Sequence, residues 1–198
     1  MLSDGWVHSV DQPTVRLRRA ASMAYRMARE RVVINDHELI VGCPDLSRLT
    51  ADEQKRLEEM GGGVRACIPQ PPGVYDHMAM DYEKLIKVGL DGLMLEVNQR
   101  RKALNPQLPE STAKEEFYRG CLMELNALAE TAKRYAEHAR AMAENSPPER
   151  ARELLEIADI LTQVPSRPAR TFREALQSIH FYTCMLCGDY QMGRPDQY

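Results

Sequence analysis

The sequence predicts a mainly α-helical protein, and three observations lead to this prediction. Aromatic residues make up only 6% of the 198 residues, and the eleven methionines suit helix packing better than a β-sandwich. From residue 81 onward, apolar residues recur at helical spacing. Several Ser or Thr residues are followed three positions later by Glu, which is the capping-box pattern that marks helix starts.

Charge and hydropathy exclude several classes of partner. The formal net charge is −3, and nucleic-acid binding needs a basic face, so we expect no nucleic-acid partner. No window approaches the roughly 18 consecutive apolar residues of a membrane span. The N-terminus MLSDGWVHSV lacks the charged and apolar regions of a signal peptide. Five scattered cysteines do not form a disulfide framework. We therefore predict a cytoplasmic protein with no membrane partner.

The N-terminal region predicts one helix followed by one hairpin. Residues 12–31 are rich in Arg and Ala and read as a helix with a rough apolar stripe. The stretch RVVINDHELIVG changes character, because two short β-branched runs flank the turn pair Asn35-Asp36. We therefore expect a short β-hairpin near residues 32–41.

A short helix and an irregular connection are predicted next. Thr50 and Glu53 form a capping box for a helix over residues 51–60. The glycine run 61–63 ends this helix; it could suggest a phosphate loop, but no Gly-Lys-Ser/Thr follows it. Four Pro or Gly residues within 69–73 make the following stretch the best internal linker.

Four helices are predicted from residue 81 to the end of the apolar pattern. The first covers 81–104, although Gly89 and Gly92 weaken it. Thr112 and Glu115 form a capping box before a long helix. One side of this helix holds Phe117, Cys121, Leu125, Leu128, Ala132, Tyr135 and Ala139.

The last two predicted helices differ in character. Ser146 and Pro147 start a helix that runs to about Thr162, and its expected inward residues are Leu154, Leu155, Ala158 and Leu161. Thr171 and Glu174 cap the final helix, FREALQSIHFYTCML. That helix is apolar nearly all round, which is typical of a helix buried within a larger protein.

Residues that could carry chemistry are few and scattered. Cys184 and Cys187 make a single C-x-x-C inside a predicted helix, and only His180 lies near them, so buried thiols are the default interpretation. His77 follows the Pro/Gly loop and is the histidine best placed for a specific role, whereas His138 lies on a charged helix face. No Ser/His/Asp grouping is evident.

Three stretches carry a family resemblance, namely NDHELIVG (35–42), GVYDHMAMDYEKLIKVGLDGL (73–93) and VPSRPARTFREALQSIHF (164–181). Together they resemble the N-terminal region of glycyl radical enzymes, the pyruvate formate-lyase-like family. The closing GRPDQY is similar to the family's G-R-x-D-Q-Y/F segment. The resemblance covers roughly residues 14 to 198. It implies that the fold is the helical N-terminal portion of the family's α/β barrel.

The resemblance also implies what the chain lacks. Family chains are longer, so we expect residues 1–198 to be one partial pyruvate formate-lyase-like domain. It is truncated before the catalytic cysteine and lacks the C-terminal glycine radical domain. In the family, a radical-SAM activating enzyme installs a glycyl radical that passes to a mid-chain cysteine. The R-V-x-G-[FY] motif and a C-x-E cysteine are both missing here. We expect no catalytic residue, no metal and no bound cofactor.

The resemblance places the substrate site just before GRPDQY. Family residues at that point face the substrate, which implies substrate contacts by Asp189, Tyr190 and Gln191, whose side chains can hydrogen-bond a hydroxyl. Arg194 and Asp196 are expected to hold the loop. A solvated turn is the alternative interpretation of this segment. Many dehydratase-like members carry an S-N-G-H type stretch where CGDYQM stands here, so the reaction subclass stays open.

These inferences predict the N-terminal segment of an enzyme of anaerobic metabolism that cleaves a C–C, C–O or C–N bond. The formate acetyltransferase (transferase) type and the dehydratase or lyase type both remain open. The alternative is a non-catalytic helical subunit or interaction module that docks onto a separate chain carrying the barrel. A small-molecule substrate is expected only in a completed chain. The apolar last helix predicts self-association, or a missing C-terminal portion that covers it.

Overall fold

A 33-residue helix, α4 (Ser111–Ala143), forms the centre of the fold. The structure is a computed structural model, and it describes residues 2–42, 50–52, 55–56, 58–59 and 81–187. The other bounded helices are α1 (Leu2–His8), α2 (Val15–Arg29), α3 (Tyr82–Lys102), α5 (Pro148–Gln163) and α6 (Phe172–Cys187). The described residues between 51 and 59 are helical, as predicted. The mainly helical fold class is therefore confirmed.

The hydrophobic core lies where α4 packs against its neighbours. α4 contacts α2, α3, α5 and α6, and α6 also packs against α3 and α5. Each fully buried large apolar side chain contributes roughly 1.5–3 kcal/mol relative to exposure. The fully buried side chains of this core include Leu17, Met27, Leu90, Leu128, Tyr135, Leu154, Ile157, Leu161, Phe181 and Met185.

The helix α1 was not predicted from the sequence. Trp6 is 5% exposed and anchors α1 against α2. The Arg18 guanidinium lies 4.2 Å from the centre of the Trp6 ring. Its Nε and Nη2 atoms both donate to the Trp6 carbonyl oxygen, at 3.0 and 2.8 Å. The Arg18 guanidinium of α2 therefore binds the Trp6 carbonyl of α1 and stacks on the Trp6 ring.

A sharp kink divides α3 at Gly89. This residue has φ 63° and ψ −179°, a conformation essentially restricted to glycine. The amides of Leu90 and Asp91 donate outside the helix to the carbonyls of Pro165 and Ser166, each at 2.9 Å. The Ala169 amide in turn donates to the Ile86 carbonyl at 3.0 Å. The loop after α5 thus takes over the hydrogen bonds that the kink breaks.

The expected β-hairpin near residues 32–41 is wrong, because no residue from 31 to 42 is in a strand. The turn itself forms, since the Glu38 amide donates to the Asn35 carbonyl at 3.1 Å. Helix side chains replace the partner strand. Arg150 Nη2 donates to the carbonyls of Asn35 and Glu38, at 2.7 and 3.1 Å. Residues 31–42 therefore form an extended segment that lies across the helices, and we call this segment the strap.

Several details of the predicted helix ends also changed. The capping box at Thr112 is wrong: α4 begins at Ser111 without a side-chain cap, and the Glu115 carboxylate accepts from Arg101 Nε at 2.8 Å instead. The cap at Thr171 is confirmed, because its hydroxyl accepts from the Glu174 amide at 3.2 Å. Glu53, the glycine run and the 69–73 connection lie outside the described residues.

Leu155, which was expected to be inward, and Phe117, from the apolar side of α4, point outward. Phe117 is 54% exposed and Leu155 is 49% exposed. On α6, Phe172 and Leu176 are also exposed, at 80% and 42%. The expected self-association stays a prediction. Among the described residues, no helix combines the length and apolar character that a bilayer crossing requires.

Candidate functional site

The residues expected to contact substrate lie outside the part of the chain that the structure describes. These are Asp189, Tyr190 and Gln191, together with the loop residues Arg194 and Asp196. The structure does describe α6, the helix that precedes them in the sequence, as far as Cys187. We call the residues that hold the C-terminal half of α6 the α6 junction, and they are Arg26, Glu30, Val41, Gly42, Tyr135, Gln177, Phe181 and Met185.

The amide of Gln177 joins the extended strap to α6. Its Oε1 atom accepts from the Val41 amide at 2.9 Å, and its Nε2 atom donates to the Val41 carbonyl at 2.7 Å. Both residues are essentially inaccessible to solvent. The side chain therefore satisfies both buried backbone groups of Val41, as a neighbouring strand would.

Gly42 allows the strap to approach α6 closely. Its φ is +122°, and a Cβ atom there would lie 2.8 Å from Cδ2 of Phe181. Phe181 in turn meets Tyr135 of α4 edge to face, with ring centroids 5.3 Å apart. Burial raises the pKa of the Tyr135 hydroxyl, and nearby Glu30 raises it further. The tyrosine is therefore neutral in the folded protein.

A buried ion pair lies at the end of α6. Arg26 and Glu30 of the α2 end are 7% and 5% exposed, and Arg26 Nη1 is 3.9 Å from Glu30 Oε2. Arg26 Nη2 donates to the Met185 carbonyl. From α4, Arg134 donates to the carbonyls of Met27 and Glu30, at 2.9 and 2.7 Å. Guanidinium groups therefore hold the C-terminal ends of both α2 and α6.

His180 and Cys184 lie one turn apart on α6. The Cys184 Sγ atom is 3.6 Å from Nε2 of His180. Burial lowers the pKa of His180, and Glu38 opposes this effect. The imidazole is therefore predominantly neutral at pH 7 and can exchange a weak hydrogen bond with the thiol. The described residues contain no group of three His, Cys, Asp or Glu side chains that could hold a metal ion.

A concave surface lies between α3, α4 and α6. This groove has a volume of about 410 Å³ and is lined by Leu93, Val97, Phe117, Tyr118 and Tyr182 with several charged residues. Its main ion pairs join Glu96 to Lys84 and to Arg100, at 2.5 and 2.7 Å. Cys121 and Glu124 also line the groove, where burial and the nearby Glu124 raise the pKa of the Cys121 thiol.

Glu124 in this groove gives a testable pH dependence. Burial raises the pKa of its carboxyl, although Arg19 opposes the shift. The folded state therefore holds the proton to higher pH than the unfolded state, whose glutamate pKa is about 4.3. This contribution to stability is complete below that value and is lost as pH rises through the folded pKa.

Part of the fall in unfolding free energy with rising pH comes from Glu124. We expect this part to be missing in Glu124→Gln, because glutamine does not titrate. Urea denaturation from pH 4 to pH 8 measures it. The same substitution at exposed Glu130 of α4 is the control for replacing a carboxylate on this helix. Parental pH dependence in Glu124→Gln would contradict the assignment.

Similarity to known proteins identifies the class to which this helical fold belongs. The family model described as "Pyruvate formate lyase-like" matches residues 71–198. This match covers more than half of the chain, so the chain belongs to the pyruvate formate lyase-like family of glycyl radical enzymes. The resemblance inferred from the sequence is therefore confirmed.

Curated relatives support the same family. The chain is 34% identical to "Probable dehydratase YbiW" of Escherichia coli K12 over 153 residues, which cover 74% of this chain and 19% of YbiW. It is 38% identical to "Isethionate sulfite-lyase" of Bilophila wadsworthia over 103 residues, 51% of this chain and 12% of that protein. The chain thus spans less than a fifth of the length of these relatives.

Solved structures confirm the fold. A structure described as "1,2-propanediol Dehydration in Roseburia inulinivorans" superimposes with a TM-score of 0.83 at 22% identity, covering 93% of this chain and 30% of that chain. A glycyl radical enzyme from Archaeoglobus fulgidus gives 0.80 at 22% identity, covering 96% and 32%. The helical arrangement described above is therefore part of the glycyl radical enzyme fold.

The sequence interpretation missed the polar residues of the α6 junction. Gln177 and Arg26 are large polar side chains at helix positions next to buried apolar ones, and this mismatch was their available signal. A buried amide or guanidinium needs partners, so such residues indicate a contact with backbone from another segment. His77, which sequence reasoning favoured among the histidines, lies outside the described residues.

Proposed function

We propose that this chain forms a helical, substrate-facing part of a glycyl radical enzyme of lyase or dehydratase type. The observation that carries the proposal is the α6 junction. Through Gln177 and Val41 it joins the stretches 35–42 and 164–181, both of which resemble the family. The family match extends from residue 71 to 198 and so includes the segment that follows α6.

We propose a small hydroxylated molecule as the substrate class. The relatives include enzymes named for isethionate and for (2S)-3-sulfopropanediol, and a related structure is described as a glycerol-bound dehydratase. The Asp189 carboxylate can accept from a hydroxyl, and Tyr190 and Gln191 add directional hydrogen bonds. These relatives are named for lyase or dehydratase reactions. They therefore favour this reaction type over acetyl transfer and lend no support to a non-catalytic role.

The residues present do not fit the radical machinery itself. The radical-glycine motif and a C-x-E cysteine are missing from residues 1–198. Among the described cysteines, Cys121 and Cys184 lie inside helices rather than on loops. We therefore derive no radical step from this chain. Its proposed contribution is to bind and orient the substrate, while Arg194 and Asp196 hold the loop.

The test uses a completed chain, in which residues 1–198 are joined to the C-terminal remainder of YbiW. The chimera is activated anaerobically with its radical-SAM activating enzyme, and EPR measures its glycyl radical. Turnover is then measured with isethionate, glycerol, 1,2-propanediol and (2S)-3-sulfopropanediol. We expect a radical signal and turnover of at least one of these compounds.

Three alanine variants then test the site within the chimera. We expect at least one of Asp189→Ala, Tyr190→Ala and Gln191→Ala to lower kcat/KM by about tenfold or more, equivalent to roughly 1.4 kcal/mol. The radical content should stay at the parental value. Asp159→Ala is the control, since that carboxylate is exposed on α5. Parental kcat/KM in all three variants would show that the loop is only structural.

A further inference from the structure

We infer that Arg26 is a positioning residue that caps the C-terminal end of α6. The consequence for substrate orientation rests on the proposed function. The capping contact itself does not, because it lies wholly within the described residues. Arg26 belongs to α2 and is 159 positions from Met185, the residue whose carbonyl it binds.

The contact satisfies a group that the helix cannot satisfy itself. The last four carbonyls of a helix have no partner within it, and α6 ends at Cys187. The Met185 carbonyl is one of these groups, and Arg26 Nη2 donates to it. A cation at this end also complements the negative end of the helix dipole.

The position of Arg26 is itself fixed from a third helix. The Arg134 guanidinium of α4 binds the carbonyls of Met27 and Glu30 at the end of α2. The Thr131 hydroxyl, which donates to the Ala127 carbonyl at 2.8 Å, also lies 3.2 Å from the Met27 carbonyl. The long central helix therefore fixes the end of α2, and α2 in turn fixes the end of α6.

The buried Arg26–Glu30 ion pair is a weak source of stability. Both side chains are more than nine-tenths buried, and Arg26 Nε and Glu30 Oε2 make no hydrogen bond among the described residues. Replacing such a pair with apolar residues of similar volume is often neutral or stabilising. The hydrogen bond from Arg26 to Met185 instead fixes the position of the Met185 carbonyl, which an apolar pair of side chains cannot do.

The structural consequence concerns the segment that follows. Only residues 186 and 187 lie between Met185, whose carbonyl Arg26 binds, and Gly188. The proposed contact residue Asp189 follows Gly188 in the sequence. A displacement of about 1 Å at a reacting centre can lower the rate roughly a hundredfold. Loss of the Arg26 contact should therefore disturb substrate orientation while leaving the radical in place.

The first arm of the test uses hydrogen exchange on residues 1–198. We expect Arg26→Met to speed amide exchange in the last turn of α6, residues 183–187, by roughly tenfold or more, because a hydrogen bond to a charged group is lost. Arg26→Lys should give a smaller increase. Exchange at Leu128, in the buried centre of α4, reports global opening and should change less.

The control is Arg29→Met, which removes an exposed guanidinium from the same helix that lies over the Tyr25 ring instead. It should leave exchange in the last turn of α6 at the parental rate. If Arg26→Met and Arg26→Lys also leave that rate unchanged, or if exchange at Leu128 rises equally, Arg26 is not a cap of α6 and the inference is wrong.

The second arm uses the activated chimera described above. We expect Arg26→Lys to lower kcat/KM by about tenfold, with parental glycyl radical content by EPR and parental activity in Arg29→Met. Parental kcat/KM in Arg26→Lys, despite faster exchange at the end of α6, would overturn the positioning role. A chimera without radical or turnover would contradict the proposed function instead, and the exchange result would stand separately.

Discussion

Gly89→Ala is expected to lower the free energy of unfolding by about 3 kcal/mol or more, because strain and a backbone clash act together. The φ of +63° is unfavourable for any L side chain, and a new Cβ atom would lie 2.4 Å from the Ser166 carbonyl oxygen. That carbonyl accepts from the Asp91 amide, so it cannot move without breaking this bond. Urea denaturation followed by circular dichroism measures the change.

The matched control is Gly120→Ala in α4, where a Cβ atom would meet only the Ala20 Cβ, at an ordinary 3.4 Å. Alanine is favoured over glycine in a helix interior by roughly 1 kcal/mol, so this variant should be neutral or more stable. Equal stabilities for the two variants would mean that α3 does not need its kink at Gly89.

Gln177→Leu is expected to lower the free energy of unfolding by roughly 2–5 kcal/mol, since two buried backbone groups lose their partner at once. The Val41 amide and carbonyl are both bound by this one side chain. Leucine has a similar volume, so the loss reports the hydrogen bonds rather than a cavity. Chemical denaturation gives the stability, and hydrogen exchange at the Val41 amide tests the cause.

Gln163→Leu is the control for this substitution. The Gln163 Nε2 atom donates to the Pro168 carbonyl at 2.9 Å in an exposed position, so water replaces the lost bond. Its cost should stay near 1 kcal/mol or below. If Gln177→Leu costs no more than this control, the strap is not held to α6 by the Gln177 amide.

The sequence predicted the helices well where local signals and burial agreed. α5 ends at Gln163, close to the expected Thr162, and the Thr171 cap forms as its spacing indicated. The long helix α4 was placed correctly because its apolar stripe continues over many turns. In such segments the local pattern and the tertiary packing favour the same conformation.

Tertiary contacts decided the places where the interpretation failed. The β-branched runs around Asn35 suit an extended chain, but α5 and α6 supply the hydrogen-bond partners through Arg150 and Gln177. The propensity of these residues for extended backbone does not tell whether their hydrogen-bond partners are a neighbouring strand or helix side chains. The kink at Gly89 likewise depends on a loop that follows more than seventy positions later. The expected contact residues 189–191 lie outside the described residues and stay a prediction.

The most direct test of the central claim is a crystal structure of the chimera with its substrate bound. We expect at least one of Asp189, Tyr190 and Gln191 within hydrogen-bond distance of the substrate, directly after an α6 whose Met185 carbonyl is bound by Arg26. A bound substrate with all three side chains beyond that distance, or an α6 end free of Arg26, would contradict the account.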